Sequence, residues 1–167
     1  MNYFELFDLP IGFKIDTIKL RQAFMDIQRA SHPDKFAQAS PEEQELALEK
    51  SALANKGFSI LSHPEKVLPY VLEILGLIES EEKYALSPDF LMEMMELNEA
   101  WMDANDEAEK QKVIQQVKHI QNDIFKPLKA PLEAADIHLV SQEELLQIKE
   151  YYYKKKYLDR ILADFRY

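Results

Sequence analysis

Apolar residues recur along this chain at helical spacing. Within residues 16–30, Leu20, Phe24 and Ile27 occupy positions i, i+4 and i+7 and therefore share one face of a helix. The same spacing connects the apolar residues of segment 113–124. Only three glycines are available for tight hairpin turns, and the periodic segments repeat every 3.6 residues instead of every 2. The pattern predicts an all-α fold.

Capping residues and prolines define the helices expected in the first half. A short aromatic helix over residues 3–9 should end at Pro10, which is followed closely by a glycine. A second helix should begin after Asp16, a favourable N-cap, and end before Pro33, because a residue preceding proline avoids the α region.

The third and fourth helices have equally clear start signals. Ser40 and Glu43 have the spacing of a capping box, which predicts a long third helix lying antiparallel on the second. Its expected apolar face comprises Leu53, Ala54, Phe58 and Leu61. A fourth helix over 65–75 should end at Gly76, the C′ residue.

A polar, acidic stretch at residues 77–87 is typical of a linker, which suggests two small domains, 1–76 and 88–167. The second domain should be a three-helix bundle. Its helices are expected from Pro88 to about Asp103, from Asn105-Asp106 to about Phe125, and after the capping box at Ser141.

Composition narrows the classes of function. The chain has 167 residues, is 47% hydrophobic and contains no cysteine, so thiolate metal sites and iron-sulfur ligation by the chain itself are excluded. No apolar run reaches the roughly 18 residues that would span a membrane, and the first residues lack a signal-peptide pattern. A cytoplasmic location is therefore expected. The net charge of −10 argues against nucleic acid as a partner.

The charge is unevenly distributed. Residues 79–109 contain 11 acidic residues and 1 basic residue, whereas residues 14–35 contain 5 basic and 3 acidic residues. The protein therefore combines a locally basic second helix with an acidic stretch that surrounds the predicted linker and the helix after it.

His32-Pro33-Asp34 lies between the second and third helices. Pro33 fixes φ and stiffens the loop, so that the flanking His32 and Asp34 project at the hairpin tip. In the alternative structural interpretation, Asp34 only caps a helix and His32 is only solvated.

An enzymatic interpretation would pair His32 with Asp34, or His63 with Glu65, as acid-base groups or metal ligands. Neither pair has a third ligand at metal spacing, a nucleophile or a glycine-rich phosphate loop, and the other two histidines, 119 and 138, are isolated. We therefore expect no catalytic residues, no metal site and no cofactor.

The first 70 residues resemble the J-domain co-chaperones. The resemblance rests on the aromatic segment 2–7, the basic second helix, the His-Pro-Asp-Lys run at 32–35 and the segment 55–64 that ends the third helix. The continuation through 87–99 and the ending 156–160 are similar to the HscB family, the J-type co-chaperones of iron-sulfur cluster biogenesis. The absence of zinc-binding cysteines is typical of its bacterial members.

This resemblance implies two partners. One is an HscA-type chaperone ATPase, whose hydrolysis the co-chaperone would stimulate; the other is the iron-sulfur scaffold protein IscU, which it would deliver. The implied chaperone-binding residues are Lys19, Arg21, Arg29, His32, Pro33, Asp34 and Lys35. The implied scaffold-binding residues are Leu91, Met92, Met95, Glu96, Glu99 and Tyr157.

Helical spacing supports the scaffold-binding set only in part. Positions 92, 95, 96 and 99 fall on one stripe of a helix, and flexible methionine side chains suit an adaptable binding surface. Methionines at this spacing are more often core residues, however, so both interpretations remain open. Phe90, Leu97 and Trp101 are the expected core residues of the same helix.

Two other interpretations also remain. The chain could be a general J-domain adaptor that brings another client to a DnaK-type chaperone, or a purely structural helical scaffold. The run of tyrosines and lysines at 151–156 suggests nucleic acid or an anionic membrane, but a solvated helix face with half-buried tyrosines explains it better.

Overall fold

The computed structural model describes residues 1–165, and all regular secondary structure in this range is helical. The predicted all-α fold is confirmed. The helices are α1 (Tyr3–Leu6), α2 (Thr17–Ala30), α3 (Pro41–Leu61), α4 (Pro64–Ile74), α5 (Pro88–Asp103), α6 (Glu107–Phe125), α7 (Lys129–Glu133) and α8 (Gln142–Asp164). Short 3₁₀ turns occupy Pro33–Phe36, Lys126–Leu128 and Ile137–Leu139.

The predicted N-caps form as expected. The Asp16 carboxylate accepts the first free N–H groups of α2, and Ser141 and Glu144 form a complete capping box at α8. The box predicted at Ser40 is half right, because the described structure contains only the bond from Glu43 N–H to Ser40 Oγ, at 3.2 Å. Gly76 has φ of +71°, the left-handed conformation expected of a C′ residue.

The first structural unit contains residues 1–76 together with 132–140. In this unit α2 and α3 form the predicted antiparallel hairpin, with the rings of Phe24 and Phe58 stacked at 4.4 Å. Toward the other end of the pair, Gln28 Nε2 donates to the Ser51 carbonyl at 3.2 Å. The fully buried residues include Phe4, Leu20, Ala54, Val71 and Leu72. Leu53, expected on the buried face of α3, is instead 39% exposed.

Gly57 allows α1 to pack closely against α3. A Cβ at this buried position would lie 2.9 Å from ring atoms of both Tyr3 and Phe7. The Tyr3 N–H also donates to the hydroxyl of Tyr70 on α4 at 2.8 Å, so α1 is bonded to α4 as well as packed against α3. The cost of glycine in a helix, about 1 kcal/mol, is offset here by the approach of two aromatic rings.

Residues 132–140 return to the first unit, although the sequence predicts that they belong to the second domain. The Ile137 N–H donates to the Ile11 carbonyl at 2.7 Å. Gly12 is buried at this junction, and a Cβ there would lie 2.5 Å from the carbonyl oxygen of Ala135. The Cβ position is fixed by the backbone of residue 12, and the oxygen belongs to the backbone of residue 135. Neither atom could therefore move aside without a shift of the main chain.

We therefore expect Gly12→Ala to destabilise this junction by about 1–3 kcal/mol, the usual cost of overpacking. Exchange of the Ile137 amide hydrogen, which is protected by the bond to Ile11, should accelerate by the corresponding factor. Gly76→Ala is the matched control, because no atom lies within 4 Å of its Cβ and only its positive φ is unfavourable. If Gly12→Ala leaves exchange at Ile137 unchanged, the junction does not hold this segment.

The second unit contains residues 77–131 and the C-terminal segment from Ser141. Its core lies between α5, α6 and α8, as expected for a three-helix bundle. The buried side chains of this core are Phe90, Met94, Leu97, Val113, Val117, Leu158, Ile161, Leu162 and Phe165. Across residues 1–165, the structure contains no helix with the length and apolar character needed to span a membrane.

Candidate functional site

The loop that contains His32 is stabilised by its own hydrogen bonds. The His32 ring Nδ1 accepts the Asp34 N–H at 3.2 Å, and the Lys35 N–H donates to the His32 carbonyl at 3.0 Å. The histidine therefore caps the 3₁₀ turn that begins at Pro33, a role the structural interpretation of the sequence assigned to Asp34. Ser31, directly before the loop, is buried, and its N–H donates to the Ile27 carbonyl of α2 at 2.9 Å.

Because His32 makes the cap, Asp34 is left free to interact outward. Its side chain is 91% exposed, and its Oδ2 lies 3.6 Å from His32 Nδ1. The His32 side chain is itself 59% exposed. The tip thus presents a carboxylate and an imidazole on a turn already held by hydrogen bonds, an arrangement that can dock without first being ordered.

The predicted basic surface is exposed as expected. Lys19, Arg21, Arg29 and Lys35 all reach solvent. The Arg29 guanidinium lies 3.9 Å from the Asp26 carboxylate one turn earlier, an exposed pair that contributes little to stability.

Two apolar members of this surface were not predicted from the sequence. Ile18 is 79% exposed and Met25 is 43% exposed, and their helical spacing puts them on the same outer face of α2 as Arg21 and Arg29. Their position opposite the buried Leu20 on the helix was the available signal.

On α5, the structure separates core from surface. Phe90, Met94 and Leu97 are buried, and Trp101 packs at the edge of this core with its ring stacked on Phe165 at 4.5 Å. The expectation for Phe90 and Leu97 is confirmed, and Met94 joins them in the core.

The other side of α5 is an exposed apolar stripe. Leu91 is 38% exposed, Met92 61% and Met95 62%, so none of the three belongs to the core. Met102, which sequence analysis did not include, is 82% exposed and extends the line of Leu91 and Met95 at helical spacing. Solvent-exposed methionines grouped on one helix are typical of adaptable binding surfaces.

Acidic side chains flank this stripe. Glu96 and Glu99 are exposed, and within the described residues no basic nitrogen lies within 4.0 Å of either carboxylate. Their charge is therefore not neutralised inside the protein and can act on a partner.

Tyr157 of α8 lies near one end of the stripe. Its ring meets Phe90 edge-on at 6.0 Å, and the Arg160 guanidinium lies 5.2 Å from its centroid. Tyr157 and Leu91 line the same groove, of about 820 Å³. Glu96 instead lines a separate groove between α5 and α6, so the predicted scaffold-binding residues span two adjoining surfaces.

Part of the predicted linker is bonded to α8 by side-chain contacts. The Glu82 carboxylate accepts hydrogen bonds from Lys149 Nζ at 2.9 Å and from the Tyr153 hydroxyl at 2.6 Å. The Tyr84 ring stacks on Tyr153 at 4.5 Å with an interplanar angle of 5°. Residues 82–84 are thus a fixed part of the second unit, although the sequence predicts a connecting segment there.

These contacts shift two pKa values in opposite directions. The hydrogen bond from Tyr153, followed by that from Lys149, holds the pKa of the Glu82 carboxyl below its ordinary value. Burial, followed by the bond to Glu82, raises the pKa of Tyr153 above its ordinary value. The tyrosine therefore stays protonated and continues to donate throughout the physiological range.

Because the Glu82 pKa is lowered on folding, its contact should be fully present above the pKa of an unperturbed glutamate and be lost only as pH falls through the lower, folded value. We expect the Glu82 carboxyl carbon, followed by NMR, to titrate at lower pH than an ordinary glutamate does. Tyr153→Phe should move the Glu82 midpoint upward. Equal Glu82 midpoints in the wild type and in Tyr153→Phe would contradict the hydrogen bond between these two side chains.

The tyrosine and lysine run at 151–156 has the half-buried character expected of a helix face. Lys154 pairs with Glu150 at 3.1 Å, and Lys155 pairs with Asp159 at 2.8 Å. With two of its three lysines paired along α8, the run does not present the extended basic groove that a nucleic acid requires.

Two of the remaining histidines have local side-chain partners. His63 Nδ1 lies 2.8 Å from the Ser59 carbonyl oxygen, and His119 Nε2 lies 3.2 Å from Asp123 one turn along α6. In residues 1–165 no three histidine, cysteine or acidic side chains converge as metal ligands would.

Comparison with known proteins places this geometry in a family. Residues 86–166 match the family model described as the HSCB C-terminal oligomerisation domain. The chain is 33% identical to the co-chaperone protein HscB homolog of Shewanella loihica over 168 residues, covering 98% of this chain and 95% of the relative. It is 38% identical to the homolog of Vibrio atlanticus over 149 residues, covering 81% of this chain and 86% of the relative.

Solved structures agree. The chaperone HscB from Vibrio cholerae superposes with a TM-score of 0.73 at 30% identity, covering 99% of this chain and 96% of the other. Human co-chaperone protein HscB gives a TM-score of 0.70 at 30% identity, with coverage of 99% and 81%. With its helical hairpin, its His-Pro-Asp loop and its helical C-terminal unit matched over nearly the whole length, this chain belongs to the HscB family of co-chaperones.

Proposed function

We propose that this protein stimulates ATP hydrolysis by an HscA-type chaperone and delivers an IscU-type iron-sulfur scaffold protein to it. The observation that carries the proposal is the His32-Pro33-Asp34 tip, which is ordered by its own hydrogen bonds and exposed at the end of a helical hairpin in a chain of the HscB family. The proposed division of labour assigns the chaperone to the J-domain, residues 1–76, and the scaffold to the C-terminal bundle.

The tip and the basic face of α2 suit an acidic partner surface that contains an arginine. The cations at Lys19, Arg21, Arg29 and Lys35 would steer the encounter, since long-range attraction mainly raises association rates. Asp34 would then pair with the partner's arginine at the closed interface. Such a pair is worth far more when water is excluded than the same pair is at a free surface.

The ATP-hydrolysing groups belong to the partner in this mechanism. A protein that binds one conformation of an ATPase better than another shifts the population toward the preferred state. The co-chaperone therefore acts by favouring the hydrolysis-competent conformation, without catalytic residues or a cofactor of its own. An iron-sulfur cluster would be cargo carried by the scaffold, and the proposed site of this reaction is the cytoplasm.

The outer face of α5 suits the scaffold. Leu91, Met92 and Met95 provide exposed apolar area, and Glu96 and Glu99 provide negative charge around it. We infer that the surface docked here has an apolar centre and a basic rim, because such a partner would bury the methionines and pair the carboxylates together.

The decisive experiment measures steady-state ATP hydrolysis by a purified HscA-type chaperone with this protein, with and without an IscU-type scaffold. We expect stimulation by the protein alone and a further, synergistic increase with the scaffold. The same assay with a DnaK-type chaperone tests the alternative of a general J-domain adaptor. Stimulation of the DnaK-type enzyme only, without an effect of the scaffold, would favour that adaptor, and no stimulation of either would leave a structural scaffold.

A further inference from the structure

The groove lined by Leu91 and Tyr157 has a rigid outer wall. That wall is segment 82–86, which the Glu82 bonds to Lys149 and Tyr153 and the stacking of Tyr84 hold against α8. The volume of about 820 Å³ is open to solvent and is large enough for a few residues of a peptide. The groove is therefore preorganised instead of forming only when a ligand arrives.

Three cations line this groove, namely Lys83, Lys156 and Arg160. Within residues 1–165 no carboxylate lies within 4.0 Å of any of them. This differs from the neighbouring lysines at 149, 154 and 155, each of which has an acidic partner. The two cations of α8 without such a partner, Lys156 and Arg160, thus both lie on its groove side.

Lys83 adds a third positive charge to this groove from outside α8. It is the single basic residue in residues 79–109, a stretch with 11 acidic residues, and the fold places it in the same groove as the two cations of α8. Glu82 also lines the groove, but its carboxylate is paired with Lys149, so within the described residues the three unpaired cations leave the groove with a net positive charge although this part of the sequence is strongly acidic.

The other lining groups suit a peptide that carries carboxylates. Leu86 and Leu91 provide apolar contact, and the Arg160 guanidinium, 5.2 Å from the centroid of the Tyr157 ring, offers planar N–H donors that can bind a carboxylate. The Tyr157 hydroxyl has no hydrogen-bond partner among the described residues and adds a further donor.

We propose that this groove binds an acidic segment of the same scaffold protein that docks on α5, an inference that rests on the proposed function. The binding surface would then have a negatively charged part and a positively charged part. The carboxylates beside the α5 stripe would meet basic residues of the scaffold, and the groove would meet acidic residues, with Leu91 and Tyr157 at the boundary. A surface of two signs fixes the orientation of a partner, because the reversed pose brings like charges together.

The test is calorimetric titration of the full-length protein with an IscU-type scaffold at low and high salt. The variant replaces Lys83, Lys156 and Arg160 with glutamine. Its matched control carries Lys118→Gln, Lys126→Gln and Lys129→Gln, which remove the same charge from exposed positions of the same unit, outside this groove. We expect the groove variant to bind about tenfold more weakly and to lose much of its salt dependence, while the control stays within about twofold of wild type.

Each outcome bears on a different claim. Equal affinities for wild type, groove variant and control would overturn the groove inference and leave the proposed function standing. An equal loss in groove variant and control would also overturn it, since only net charge would then matter. If wild type does not bind the scaffold, the proposed function fails and the groove inference fails with it.

A zero-length carbodiimide cross-link provides an independent check of contact. In the wild-type complex, Lys83 or Lys156 should join to an aspartate or glutamate of the scaffold, and mass spectrometry identifies the joined peptides. Cross-links that arise from the lysines of α6 but from neither groove lysine would contradict the inference.

Discussion

Asp34→Asn should abolish stimulation of an HscA-type ATPase while the hairpin remains folded. The side chain is 91% exposed, and the hydrogen bond at this position is made by its backbone N–H to His32, which asparagine preserves. Only the negative charge is lost. Removing one partner of a charge pair that becomes desolvated at an interface costs about 2–5 kcal/mol, which is roughly 30-fold or more in affinity for the productive complex.

His32→Gln should have the same effect for a second reason. Glutamine is longer and flexible, so the cap from the ring nitrogen to the Asp34 N–H would be weakened together with any contact the imidazole makes. The measurement is the initial rate of phosphate release at saturating ATP, with increasing co-chaperone concentration.

Glu45→Gln is the matched control for both variants. It neutralises one exposed carboxylate on α3 of the same unit, outside the tip and the basic face. It should stimulate as wild type does, and all three variants should retain the wild-type circular dichroism spectrum and calorimetric binding to the scaffold. Full stimulation by Asp34→Asn would show that the tip is only a structural turn.

The helices could be predicted from the sequence because their start and stop signals are local. Asp16, Ser87 and Ser141 cap the helices that follow them, and each cap acts within three residues. The fixed φ of the prolines at the starts of α3, α4 and α5 adds to this. Such signals need no information about the rest of the chain.

Contacts between distant segments could not be predicted in this way. Nothing in residues 132–140 indicates that Ile137 would bond to Ile11, or that Gly12 leaves room for the Ala135 carbonyl. The polar, acidic composition of 77–87 suggested a linker between domains, yet Glu82 finds its two donors about 70 positions later on α8. Composition describes a segment alone, whereas these contacts depend on the packed fold.

The candidate sites show the same division. The motif at 32–34 and the four cations were visible as residue types, but which group caps the turn depended on backbone geometry, and it is His32. On α5 the methionines at 92, 94 and 95 are close neighbours in the sequence, and composition alone does not indicate which of them is buried. Their helical positions relative to Phe90 and Leu97 show which methionine is buried, because only Met94 shares the face of those two residues.

Met94→Ala and Met95→Ala should therefore have very unequal effects on stability, although the residues are adjacent. Met94 is fully buried, so its truncation leaves a cavity and should lower the free energy of unfolding by about 2–5 kcal/mol. Met95 is 62% exposed, and its truncation should change stability by no more than about 0.5 kcal/mol. Trp101, the single tryptophan, stacks on Phe165 in this unit, and its fluorescence during urea unfolding reports both values.

The effects on scaffold binding should be the reverse of the effects on stability, with the exposed methionines mattering more than the buried one. The triple variant Leu91→Ala, Met92→Ala and Met95→Ala removes the exposed apolar centre and should bind the IscU-type scaffold at least about tenfold more weakly, with no loss of helicity. Met94→Ala, measured in the absence of urea, should bind within about threefold of wild type, because its side chain does not reach the surface. If the triple variant instead unfolds the C-terminal unit, or binds as wild type does, the α5 stripe is not the docking surface.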